Sequence, residues 1–218
     1  MKILYLPCIC AIVLLSIPQS RAITFTITTD TSPLIGQASG PFSLDFQFID
    51  GSGSGDANNT VTLSAFNFYG GSWTGSPTLT GGASTGAGTI TLTDSSFFNE
   101  LFQGFTPGTK LSFQVSMTTA LDAGAPDEFS FAILDSTLSE IPTMGPGDAF
   151  VTVDIDSANP TIQTFSSDLG RTTIDIAAPT ISGAVVLPEG GVPIGLVGGL
   201  WLAGLLWSRR LMVPTADS

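Results

Sequence analysis

Along most of this chain, apolar residues alternate with polar ones at a period of two. In residues 42–49, Phe42, Leu44, Phe46 and Phe48 fall on one side, and Ser43, Asp45 and Gln47 on the other. That is the pattern of a strand with one face buried. The same alternation marks Ile23-Phe25-Ile27, Leu111-Phe113-Val115-Met117, Phe129-Phe131-Ile133 and Val151-Val153-Ile155. Shorter stretches at Ile90-Leu92, Ile162 to Phe165, Ile174-Ile176 and Ile181 to Val186 read the same way. Val61 and Leu63 hold one phase while Phe66 and Phe68 take the other, which predicts a bulge between them.

Turn residues separate these stretches: Gly51 to Gly55, Gly81-Gly82, Pro107-Gly108, Gly145-Pro146-Gly147 and Asn159-Pro160. Only residues 94–105 suggest a helix, with Asp94 or Ser95 as cap and Phe98, Leu101, Phe102 and Phe105 at helical spacing. The expected fold is therefore all-β: a β-sandwich with jelly-roll-like or Greek-key connections, at most one short helix, and the fifteen phenylalanines as core filling.

Both ends break the pattern. Residues 1–22 carry Lys2, an apolar run from Ile3 to Ile17, and Ser20-Arg21-Ala22. This is the plan of a signal peptide cleaved after Ala22, and Pro18 and the short run weigh against an uncleaved anchor. Residues 192–207 are uncharged and mostly apolar, and Arg209 and Arg210 follow almost at once. That reads as a short transmembrane helix with its arginine end in the cytoplasm. A buried soluble helix is the alternative. The organisation expected is leader 1–22, β-sandwich 23–186, and tail 187–218.

Directly before the apolar span stand Leu187, Pro188, Glu189, Gly190 and Gly191. With the Arg209-Arg210 stop, this tail resembles the PEP-CTERM class of sorting signals, in a variant lacking the second proline. A Gram-positive LPxTG signal is the runner-up, but Gly190 stands where its threonine would be. Segments such as Phe105-Thr-Pro-Gly and residues 127–135 add similarity to a family of PEP-CTERM-tailed extracellular β-rich domains. The resemblance implies an exported protein, transiently anchored through its C-terminal helix, processed by an exosortase-type enzyme, and associated with exopolysaccharide. It implies no catalytic residues.

Composition narrows the chemistry. The formal net charge is −12. All the acidic residues except Glu189 and Asp217 lie between 23 and 187, opposed there by Lys110 and Arg171 alone. Such a surface repels phosphate backbones, so nucleic acid is not an expected partner. Histidine is absent and both cysteines, Cys8 and Cys10, sit in the leader. Triads built on histidine, thiolate chemistry and disulfides are thereby excluded from the mature chain.

Carboxylates remain. Asp50 and Asp56 flank the Gly-Ser loop, Asp154 and Asp156 stand at a strand end, and Asp127-Glu128 is expected in a turn. Either these form solvated acidic loops or they offer hard oxygen ligands to calcium, the one cofactor considered. Trp73 either plugs a sandwich end or, with Tyr69, stacks on a sugar ring. The leading reading is a non-enzymatic surface or extracellular-matrix protein, with a carbohydrate-binding module second and a carboxylate-only glycosidase (Glu100, Glu128, Glu140) third.

Overall fold

A computed structural model describes residues 21–121, 124–156 and 159–188. Within them thirteen strands follow in chain order: β1 (Arg21–Asp30), β2 (Phe42–Ile49), β3 (Thr60–Asn67), β4 (Ser72–Trp73), β5 (Thr78–Thr80), β6 (Gly82–Gly86), β7 (Thr89–Thr93), β8 (Phe98–Thr106), β9 (Lys110–Thr118), β10 (Asp127–Leu134), β11 (Val151–Ile155), β12 (Thr161–Thr164) and β13 (Thr180–Pro188). They form two antiparallel sheets. One has the order β13-β1-β9-β3-β7-β6; the other runs β12-β11-β10-β2-β8-β4, with β5 also beside β8. The all-β sandwich expected from the alternation is what the chain forms.

The two sheets meet across phenylalanines. Phe46 of β2, Phe113 of β9 and Phe131 of β10 pack with ring centroids 5.3–5.4 Å apart. Each is fully buried, worth roughly 1.5–3 kcal/mol of transfer free energy per side chain. Their partners in the alternation, such as Gln47 and Ser130, lie half-buried on the outer face. The phase change in β3 is a bulge: its register against β9 shifts between Ser64 and Asn67, and Ala65 has φ 52°.

Three expectations fail locally. Residues 94–105 do not form a helix. A turn leads into β8, whose Leu101 and Phe105 enter the core while Phe98 and Phe102 stay half-exposed outside. Leu101 and Phe105 are four apart, a spacing that suits a helix face and a strand face equally. Pairing along the whole length of β2 decides for the strand. Ile174 and Ile176 are buried but belong to no strand; Ser167 and Ile176 bond to each other instead, through the Ser167 amide and hydroxyl. Asp127 and Glu128 open β10 rather than lying in a turn.

The sandwich has two distinct ends. Arg21, Pro188, the loops over residues 50–59 and 94–97, and the described stretches 119–121 and 124–126 gather at one, here the acidic end. Loops 31–41, 68–71 and 107–109 and the short strand β4 gather at the other, the aromatic end.

Candidate functional site

At the acidic end, buried polar side chains tie the loops together. The Asp50 carboxylate is buried and accepts backbone N–H bonds from Ser52 (2.7 Å), Gly53 (3.2 Å) and Gly55. Gly55 is required there: its φ is +70°, and a Cβ would lie 2.6 Å from the Ser95 carbonyl. Asp127 accepts from the Gly51 amide (2.8 Å) and from Asn59 Nδ2 (2.7 Å). Asn59 also clasps both backbone groups of Ala120 at 2.8 Å. Asp94 Oδ2 accepts the Asn59 amide at 2.9 Å, while its Oδ1 is buried without a hydrogen-bond partner among the described residues. Burial pushes Asp94 up to about 7, and the negative charges of Asp127 and Asp56 add to the rise.

The four sequence candidates for calcium do not share one centre. Asp50 is committed to backbone amides. Asp56 is exposed and accepts from Asn58, at 3.3 Å from the amide and 3.0 Å from Nδ2. Asp154 lies outward on β11 opposite Glu128 of β10, and Asp156 accepts the Thr161 hydroxyl at 3.3 Å. Among the described residues no three acidic side chains converge as a metal centre. Burial, followed by the Asp154 charge, raises Glu128 above the usual carboxylate range.

The outer face of the seven-stranded sheet carries a second group that the sequence pattern hid. Asp45 sits on the solvent side of β2 yet is only 2% exposed. Its Oδ2 accepts Gln47 Nε2 at 2.7 Å, while Oδ1 is buried without a partner among the described residues. Burial pushes it up to about 7, against the Gln47 bond and helped by the charges of Glu100 and Glu140. Alternation alone would have put Asp45 in water. Its cover comes from neighbours on other strands, such as Phe102 and Ala132 directly opposite, which only the register reveals.

At the aromatic end, Trp73 is half-buried, with Phe66 and Phe68 edge-on at 5.1 and 4.9 Å. It closes one side of a recess of about 290 Å³ whose other walls are Phe66, the Gly86-Ala87-Gly88 turn and Gln103. Tyr69 does not line that recess; it stands 48% exposed with Lys110 Nζ 5.6 Å from its ring centre. Trp73 and Tyr69 are thus at one end of the molecule but on separate surfaces. A larger recess of about 600 Å³ lies among Ser39, Glu140 and Thr172. The arginine on its wall, Arg171, is already held by Asp148 at 2.6 Å and Asp168 at 2.7 Å.

Ala22, the expected cleavage residue, is the second residue of β1 and lies between Leu187 of β13 and Thr118 of β9. Leu187 and Pro188 are the last two residues of β13. Glu189, Gly190, Gly191, the span 192–207, Arg209, Arg210 and residues 1–20 lie outside the described residues. Among the described residues, no helix is long and apolar enough to cross a membrane. No protein-family profile, curated protein or solved structure matches the chain.

Proposed function

We propose that this chain is an exported, non-enzymatic surface or matrix protein, delivered by its leader and processed at a PEP-CTERM-like tail by an exosortase-type enzyme. The observation that supports the reading is that the residues flanking the two expected addresses leave the sandwich side by side. Arg21 pairs with Pro188 and Ala22 with Leu187, on adjacent strands at the acidic end. A chain held by such a tail keeps that end toward the membrane and turns the aromatic end outward. Five carboxylates serve the fold itself: Asp30, Asp135 and Asp168 accept hydrogen bonds from residues within four positions, Asp148 accepts from Arg171, and Asp50 accepts backbone amides that outweigh its burial, and each is held below its ordinary value. Burial pushes Asp45, Asp94, Glu100 and Glu128 the other way.

Intact-mass analysis of the protein from its native host tests this. The expected species begins at Ile23 and ends within or just after residues 187–191. A cytosolic chain with both ends intact would overturn it.

The recess beside Trp73 favours carbohydrate binding as the second reading. It combines an aromatic wall with the Gln103 amide and the hydroxyls of Thr85 and Thr89, the mixture that grips one sugar ring. On a glycan array, Trp73→Ala and Gln103→Ala should each weaken binding at least about tenfold, as expected for an aromatic stacking or hydrogen-bonding contact with the ligand. Binding unchanged in both variants refutes it.

A further inference from the structure

We propose that the outer face of the seven-stranded sheet is a docking track for an extended basic segment of a partner protein, one that carries lysine or arginine at alternate positions. The inference goes beyond the processing read above and does not depend on it.

Charge is divided unevenly between the two sheets. The strands of the six-stranded sheet carry only Arg21, Asp30 and Lys110, each at a strand end, and its outer face is built from residues such as Thr24, Thr26, Thr62 and Ser116. The strands of the other sheet carry five carboxylates and no cation. Of these, Asp127 is buried against Asn59, while Asp45, Glu100, Glu128 and Asp154 take the outward positions of their strands. Among the described residues no cation answers them: Arg21 and Lys110 belong to the other sheet, and Arg171 is held by Asp148 and Asp168.

The register sets the carboxylates in rows, each two residues further along the strands. Glu128 lies opposite Asp154 in the first row, Glu100 opposite Gln47 in the second, and Asp45 opposite Phe102 in the third. Glu140 bridges to Leu134 in the fourth. Each row thus supplies a carboxylate, at intervals of about 7 Å along the strand direction. An extended peptide laid over β2 presents the side chains of its alternate residues at that same interval. Lysine and arginine are long enough to reach the strands on either side, β10 with Glu128 and β8 with Glu100.

The face is also strained in charge. Like charges directly opposite one another, as Glu128 and Asp154 are, destabilise a sheet. Burial raises Glu128 and Glu100 above the usual carboxylate range; the Asp154 charge adds to the first and the Glu140 charge to the second. Asp45 adds an independent observation. It faces outward, is 2% exposed, and its Oδ1 has no hydrogen-bond partner among the described residues. An ammonium or guanidinium group set over these rows offsets the repulsion and gives half-buried carboxylates a charged donor. Asp30 and Asp56 carry the same charge, but they are exposed and already accept local bonds, so a cation gains less there.

Fluorescence anisotropy with two labelled peptides and the full-length chain in a nonionic detergent tests this. One peptide alternates lysine with threonine; the other has the same composition with its lysines in one block. At low ionic strength the alternating peptide should bind at least about fivefold more tightly, and about 0.5 M salt should abolish binding of both. Glu100→Gln with Glu128→Gln should weaken the alternating peptide about tenfold, whereas Asp30→Asn with Asp56→Asn, the same change in net charge, should weaken it less than about twofold. The site variant relieves repulsion, so its melting temperature should not fall, and the comparison of peptides on the unsubstituted chain stands whether or not it folds. Equal affinity for the two peptides, equal losses in the two double variants, or no binding at all each overturns the inference and leaves the proposed function untouched.

Discussion

Asp45 and Asp94 are the two side chains whose ionisation the fold opposes most plainly. Each is buried, each has one oxygen held by a single donor, and each faces further carboxylates rather than a cation. In the unfolded chain both titrate near 4; in the folded protein both are pushed up to about 7. The folded state thus binds protons more tightly between those values. The stability each contributes is full below about pH 4 and is lost as pH rises through 7. Thermal unfolding followed from pH 4.5 to 8 should show the melting temperature falling toward the alkaline side. Asp94→Asn and Asp45→Asn should flatten that decline, each gaining roughly 1–3 kcal/mol at pH 8. The amide introduced by Asp94→Asn keeps an oxygen for the backbone N–H of Asn59 and offers an N–H to Asp127. A decline as steep in both variants as in the parent would show that these two groups do not set it.

Most elements were legible because the period-two pattern is strong where one face is buried: β1, β2, β9, β10 and β11 read directly from it. Strand β8 did not, since Phe98, Leu101, Phe102 and Phe105 satisfy helical spacing while also occupying both faces of a strand. Ile174 and Ile176 show the opposite failure, with alternation and burial but no ladder. At the acidic end, Asp50 was recognisable as a loop carboxylate, whereas Asp127, expected in a turn, opens β10. Asn59, Asp94 and Asp45 were not recognisable, because their burial depends on partners 35 or more residues away or on neighbouring strands. The strand assignment of β8 has a direct consequence. Leu101→Ala removes a fully buried side chain and should cost roughly 2–5 kcal/mol in chemical denaturation. Phe102→Ala, on the half-exposed outer face, should cost about 1 kcal/mol or less. A helix packed on its 98/101/102/105 side would make the two losses similar, so near-equal values would contradict the strand.

Taken whole, the molecule brings both ends of its described chain to one place, and that can be tested without reference to function. Arg21 and Pro188 are directly paired on neighbouring antiparallel strands, so their Cα atoms lie about 5 Å apart. A linker of roughly two to four residues from Pro188 to Arg21 would close β13 and β1 into an ordinary hairpin. New ends can then be opened between Ala87 and Gly88, in the exposed turn joining β6 to β7. That break leaves β6 as an edge strand still paired with β7 along Gly82 to Gly86. It cuts no side chain of the phenylalanine core. Such a permutant of residues 21–188 should keep the parent circular dichroism spectrum and melt within about 5 °C of it, since a change of 1 kcal/mol moves a domain of this size by only a few degrees. If joining the ends abolished folding while opening the 87–88 turn alone did not, Arg21 and Pro188 would not be neighbours. The pairing on which the two-address reading depends would then be wrong.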